Sequence, residues 1–241
     1  MRSSQLSLTN YDTDKTTNDY LERYDPILEP LIDKKIVLLE LGVLKGGSLL
    51  LWSDYFPFST IVGIDIHPPK NFKPTERIHV FEGSQTDTQF LSTIARKTAP
   101  SGFDIIIDDA SHNGEMTKIA FWHLFENNLK PGGLYIVEDW GTGYRDDWYD
   151  GKSLKPKSYF KPKFFRIPYW HFGFRVASKL GLLPIIPKIP MRGHSHGMVG
   201  FIKQLLDEQC APNSMKRSSK FENMLITPGL VFIKKTQHQE K

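Results

Sequence analysis

The chain has 241 residues, 39% hydrophobic and 24% charged, with 18 Gly and 16 Pro, a near-average globular composition that excludes collagen-like, coiled-coil and disordered classes. Its one cysteine, Cys210, excludes an internal disulfide and a cysteine-built zinc site, and there is neither a signal-type N-terminal segment nor an apolar run of membrane-spanning length. The net charge of +4 divides unevenly: residues 1–150 carry 14 Lys and Arg against 23 Asp and Glu, whereas residues 151–241 carry 17 against 4.

These features predict a cytoplasmic protein of one domain over residues 1–241. Its first segment, residues 1–34, precedes any strand signal. Five β-rich runs follow, most of them ending in acids or glycine: KIVLLELG (35–42), TIVGIDI (60–66), RIHVFEG (77–83), FDIIIDD (103–109) and GLYIVED (133–139). Near-continuous apolar runs of this kind suit parallel strands covered on both faces. Helical stretches separate them, namely SLLLWSDYF, TDTQFLSTIARKT and GEMTKIAFWHLFENNL. The last of these spaces Met116, Ile119, Ala120 and Phe125 for a buried face and has Asn113 available as its cap.

Residues 141–196 break the β-α alternation. They are rich in proline and aromatics, and residues 151–200 hold 10 basic residues and no acid. This is read as an insertion beside the strand ends, with three forms open: a lid whose Trp140, Trp148 and Trp170 stack on a bound ligand, a membrane-surface patch through residues 152–175, or a solvated basic face. GMVGFIKQLLDE (197–208) then predicts a helix. FENMLIT (221–227) and LVFIKKT (230–236), parted only by Pro228 and Gly229, predict an antiparallel pair. The expected fold is α/β: a Rossmann-like, doubly wound sheet of seven strands, mostly parallel with an antiparallel C-terminal strand at one edge.

Chemistry concentrates where strands end. Glu40, Gly42, Gly46 and Gly47 lie between the first strand and its helix, and Asp65 closes the second strand. Glycines admit a ligand to the backbone, the helix N-terminus offers free N–H groups, and an acid about 20 residues on can take ribose hydroxyls. A dinucleotide fingerprint would need a second glycine where Leu44 stands, and a phosphate-binding P-loop would need a lysine before Ser48, so NAD and ATP are both disfavoured. Glu40 would repel a pyrophosphate yet can accept from an ammonium group, which favours a cationic nucleoside. The plainer alternative is that these glycines only let strand and helix pack.

With Glu40, Gly42, Gly46 and Asp65 in place, the loop resembles that of class I S-adenosylmethionine-dependent methyltransferases, Leu44 departing from the usual second glycine. The resemblance implies that Glu40 holds the methionine end and Asp65 the ribose. It also puts Ser84 and Gln85, after the third strand, at the adenine edge. Lys15, Tyr20 and Tyr24 resemble an N-terminal cap over the cofactor; a simple surface helix is the alternative. His123 reads as a packing residue, and His194 with His196 as a weak candidate metal pair.

The sharper constellation is Asp108-Asp109-Ala110-Ser111-His112 after the fourth strand and Glu138-Asp139 after the fifth. Acids on neighbouring strand ends can converge on a hard cation such as magnesium. Alternation along a strand separates Asp108 from Asp109, so Asp109 is assigned to metal and Asp108 to the cofactor side, and Glu138 can join Asp139 only if the pleat breaks there. Capping acids with no metal are the alternative. D-D-x-S-H followed by P-G-G-L-Y-x-x-E-D resembles the metal-dependent sugar O-methyltransferases of macrolide tailoring, the mycinamicin and macrocin type. That resemblance, from about Asp14 to Tyr144, implies Asp109, Glu138 and Asp139 as Mg²⁺ ligands, His112 as base, S-adenosyl-L-methionine as cofactor and a homo-oligomer. The implied acceptor is a glycosylated small molecule or lipid-linked glycan. The other class considered is a non-catalytic S-adenosylmethionine- or nucleotide-binding module, or an RNA methyltransferase, with the basic part on RNA or anionic lipid. Nucleic acid is disfavoured because uncompensated carboxylates repel a polyanion.

Overall fold

A computed structural model describes residues 2–153, 196–210 and 218–237. Chain contacts divide the molecule into two compact units, residues 1–154 with 195–241, and residues 155–194. The second unit lies outside the described residues, and with it most of the predicted insertion, of the 152–175 membrane patch and His194.

Seven strands form one sheet: β1 (Val37–Leu41), β2 (Thr60–Asp65), β3 (Ile78–Glu82), β4 (Phe103–Asp108), β5 (Leu129–Glu138), β6 (Phe221–Ile226) and β7 (Leu230–Lys235). Their order is β3-β2-β1-β4-β5-β7-β6. β1 pairs in parallel with β2 and β4, as do β2 with β3 and β4 with β5, while β7 runs antiparallel to both β5 and β6. The sequence placed the antiparallel strand at the edge; in the structure it is β7, inside the sheet between β5 and β6. Residues of β7 are almost all buried and need cover on both sides, whereas β6 is mostly exposed beyond Phe221 and tolerates the rim.

Helices α1 (Tyr20–Leu28), α2 (Gly47–Tyr55), α3 (Thr88–Thr98), α4 (Gly114–Asn127), α5 (Tyr149–Ser153) and α6 (Gly197–Cys210) complete the described residues, with short 3-10 turns between some of them. Two apolar clusters lie against the sheet. One gathers Phe121, Phe125, Tyr135, Phe201 and Leu205, and the other Tyr24, Trp52, Tyr55, Phe56 and Phe232.

Asn113 caps α4, its side chain accepting from the N–H groups of Glu115 and Met116. The buried face of α4 is displaced from the one expected. Ala120 and Phe125 are buried, but Met116 and Ile119 are 42% and 45% exposed, and Thr117, Phe121 and Leu124 face inward instead. Apolar and polar residues are poorly segregated around the helix, so its periodicity gives little direction; the phase is set by the aromatic cluster that Phe121 forms with Phe125, Tyr135 and Phe201. Asp87 is the N-cap of α3, accepting from the Phe90 N–H. His123 joins α4 to α3 through a 2.9 Å hydrogen bond with the Ser92 hydroxyl.

Chain order places the functional residues. From β1 the strands proceed outward through β2 to β3, then cross back to β4 on the other side of β1, which makes the β1–β4 boundary the switch point where α/β sheets bind ligands. Leu41 pairs with Asp108, and Asp108 with Val137, so the carboxyl ends of β1, β4 and β5 lie side by side.

Candidate active site

The glycine loop leaves β1 with Gly42 at φ 91°. A Cβ there would stand 2.1 Å from the carbonyl oxygen of Asp109, so only glycine lets the ends of β1 and β4 meet this closely. Leu44 adopts φ 48° and Gly46, the N-cap of α2, φ 87°. Leu44 thus keeps the left-handed turn that a glycine would make, with its side chain in solvent. No side chain caps α2, which leaves its first N–H groups to a ligand. Asp65 organises the loop: Oδ2 accepts from the N–H groups of Val43 (2.8 Å) and Leu44 (3.1 Å), and Oδ1 from that of His67 (2.8 Å). Partial burial opposes its charge, but these three donors outweigh that and hold its carboxyl below the usual range.

Glu40 is fully buried beneath the loop. Its carboxylate accepts from the Ser48 hydroxyl (2.7 Å) and the Trp52 indole N–H (3.2 Å), four residues apart on one face of α2. Ser84 is turned toward its own loop, sharing a hydrogen bond with the Thr86 hydroxyl. The Gln85 side chain donates to Asp108 at 3.4 Å and accepts from the Ser111 N–H at 3.1 Å, linking the loop after β3 to the one after β4.

The side chains of Asp108 and Asp109 part as strand alternation requires. Asp108 is buried toward the α4 side, where it accepts from the Tyr135 hydroxyl, and burial pushes its carboxyl up to about 7. Asp109 turns the other way. Its Oδ2 lies 2.5 Å from Lys15 Nζ, and its Oδ1 lies 3.8 Å from His112 Nε2. On the neighbouring strand Glu138 accepts from Lys15 Nζ (3.0 Å) and the Tyr24 hydroxyl (2.5 Å). The pleat then breaks: Asp139 has φ 52° and swings its carboxylate to the same side as Glu138, with Oδ1 on the Tyr20 hydroxyl and Oδ2 3.8 Å from His112 Nε2. His112 also has positive φ, 48°, and the Trp148 ring meets it edge-on at 5.0 Å. Trp140, by contrast, donates its indole N–H to the Thr227 carbonyl and packs against the core.

Lys15, Tyr20 and Tyr24 therefore belong to no surface helix. Lys15 is wholly buried and reaches Glu40 at 3.3 Å as well as Asp109 and Glu138. Burial alone would lower its ammonium, but the three carboxylates prevail and hold it charged. Even so, burial together with Asp109 keeps both Glu40 and Glu138 above the usual carboxylate range. The cluster remains short of positive charge. Asp109, His112 and Asp139 bring one ligand atom each to within 4.8 Å of one another, and so do Glu40, Asp109 and Glu138. This oxygen-rich, under-neutralised set suits a hard divalent cation. The involvement of Ser48 and Trp52 escaped the sequence reading, because nothing in local spacing marks a helix residue as facing a strand-end acid, whereas Trp148, read as a lid aromatic, is placed against His112.

No protein-family model matches the chain. It is similar to mycinamicin VI 2''-O-methyltransferase of Micromonospora griseorubida, 37% identical over 132 residues that make up 52% of this chain and 32% of that protein. A tetracenomycin 3'-O-methyltransferase of Streptomyces olivaceus, acting on a methoxyrhamnosyl derivative, is 38% identical over 128 residues, 50% of this chain and 32% of that one. The chain spans about a third of the length of these curated relatives. Among solved structures, the MycE methyltransferase of mycinamycin biosynthesis, in complex with Mg, SAH and mycinamycin VI, superposes with a TM-score of 0.61 at 25% identity, covering 89% of this chain and 49% of that one. A putative ribosomal RNA methyltransferase from Plasmodium falciparum, at 13% identity and a TM-score of 0.50 over 94% of this chain and 97% of its own, shares the fold alone.

Proposed function

We propose that this chain is an S-adenosylmethionine-dependent O-methyltransferase that methylates a sugar hydroxyl of a glycosylated small molecule, with a divalent metal and His112 as base. One observation carries the reading: Asp109 Oδ1 and Asp139 Oδ2 flank His112 Nε2 at 3.8 Å each, beside the acid and glycine loop suited to a cationic nucleoside. The likeness to sugar O-methyltransferases that act on macrolides and tetracenomycins supports the acceptor class. A lipid-linked glycan would offer the same hydroxyl chemistry. Four carboxylates at the strand ends oppose a polyanionic acceptor, which argues against RNA.

In this reading Glu40 accepts from the cofactor's ammonium group and Asp65 from its ribose hydroxyls, while Ser84, Gln85 and Asp108 border the adenine. Asp109, Glu138 and Asp139 would hold Mg²⁺, which supplies Lewis-acid lowering of the acceptor hydroxyl's pKa. His112 Nε2 takes the hydroxyl proton as the oxygen bonds to the methyl carbon, and the departing sulfur keeps the electrons of the broken S–C bond. The Nε2 lone pair must be free for this, so the active imidazole is neutral with its proton on Nδ1. Trp148 limits where that ring can turn, and fixed placement of base and methyl donor contributes the rest.

Calorimetric titration with S-adenosylmethionine and with Mg²⁺, each repeated in EDTA or with the other ligand present, tests the proposal. Binding of both, with metal binding lost in Asp109→Ala, is the expected result. Cofactor binding without metal would remove the metal-dependent mechanism, and binding of neither would overturn the methyltransferase reading.

A further inference from the structure

We propose that the Lys15 ammonium is the resident cation of the acid cluster and that it sets how tightly a divalent ion binds there. The inference rests on the metal reading above and concerns a residue outside the ligand set.

Lys15 Nζ contacts Asp109 Oδ2 at 2.5 Å, both oxygens of Glu138 at 3.0 Å and Glu40 Oε1 at 3.3 Å. Two of its three partners are thus acids assigned to the metal. The placement is built in rather than incidental. Lys15 sits inside a 3-10 turn, Asp14–Thr16, whose N-cap Thr13 accepts from the Lys15 N–H, and the Thr16 hydroxyl donates back to the Thr13 carbonyl at 2.9 Å. Just before it, Asp12 pairs with Lys45 of the glycine loop at 2.9 Å. The ammonium thus enters the cluster from a turn with its own hydrogen bonds, next to a solvent-exposed ion pair with the glycine loop.

Two consequences follow from charge. Without metal, Lys15 offsets part of the repulsion among Glu40, Asp109, Glu138 and Asp139, so these side chains stay converged. With metal, a divalent ion on Asp109 and Glu138 lies within a few ångströms of a fixed like charge, and that repulsion weakens its binding. The third contact, Glu40, gives the ammonium a carboxylate to lean on while Asp109 and Glu138 turn to the ion. Lys15 is thus a positioning residue that trades metal affinity for an ordered metal-free site.

Titration of the purified protein with Mn²⁺, with the free ion read by its paramagnetic resonance signal, tests this on wild type, Lys15→Arg and Lys15→Met. Wild type and Lys15→Arg should bind alike, and Lys15→Met at least tenfold more tightly. Equal or weaker binding in Lys15→Met overturns the proposal while leaving the metal reading intact; absence of Mn²⁺ binding in all three removes both. Because Lys15→Met can destabilise the apo protein, melting in EDTA and in Mn²⁺ is measured as well, with Lys15→Gln as the milder variant. The neutral variants should melt lower in EDTA and gain more from Mn²⁺ than wild type does. A gain no larger than that of wild type would count against Lys15 as the resident cation.

Discussion

His112 and Asp139 face one another with Nε2 and Oδ2 3.8 Å apart, and both carry their backbones in the left-handed region, at φ 48° and 52°. For residues other than glycine each such conformation costs on the order of 1–3 kcal/mol and persists only where surrounding contacts enforce it. Here those contacts are the Tyr20 hydroxyl on Asp139 and the Trp148 ring on His112. The left-handed turn takes Asp139 out of strand alternation and brings it to Asp109 and His112, while Glu138 groups with Asp109 and Glu40, so that Asp109 is the acid common to both sets.

Leu44, at φ 48° and 79% exposed, carries comparable strain without any contact that uses its side chain. A left-handed non-glycine residue costs roughly 1–2 kcal/mol, against roughly 0.5–1 kcal/mol for the extra chain entropy of glycine. Leu44→Gly should therefore stabilise the protein by about 0.5–1 kcal/mol, raising Tm by a few degrees in a thermal melt, and Leu44→Val should lower it.

Asp109→Ala and Glu138→Ala should abolish metal-dependent turnover, by 10²-fold or more, while S-adenosylmethionine affinity changes little, since Glu40 and Asp65 keep their own donors. Loss of cofactor affinity with metal binding intact would contradict this division of roles.

Asp150 is buried, and its Oδ2 accepts from the N–H groups of Gly114 (2.9 Å) and Met198 (2.8 Å), the first turns of α4 and α6. One carboxylate thus serves two helix N-termini. Asp150→Ala leaves both donors unpaired and should cost about 2–4 kcal/mol in urea unfolding, whereas Asp150→Asn, which keeps an acceptor, should cost less than half of that.

Burial holds the His123 imidazole below its usual pKa. The unfolded chain then binds more protons than the native one as pH falls through about 6.5, so stability rises with pH across that window and is lost on acidification. His123→Gln should flatten this dependence between about pH 5 and 7. The difference between the two melting curves as a function of pH measures it, and parallel curves would contradict it.

Much of this molecule is local in origin and could be read from sequence. The strands, the Asn113 cap of α4, the glycine loop and the acids at the ends of β1, β2, β4 and β5 depend on neighbours a few residues away, and β-α alternation carries them to one edge of the sheet. Even the break in the pleat at Asp139 was legible as a condition. What only the tertiary structure decided depends on contacts between distant segments. Lys15 meets Asp109 and Glu138 across 94 and 123 residues, and no local pattern distinguishes a lysine bound for a buried acid cluster from one bound for solvent. The same holds for the face that α4 buries and for the place of β7 between β5 and β6. A helix whose apolar residues are spread around its axis and two short strands have several acceptable packings, and the shared core selects one.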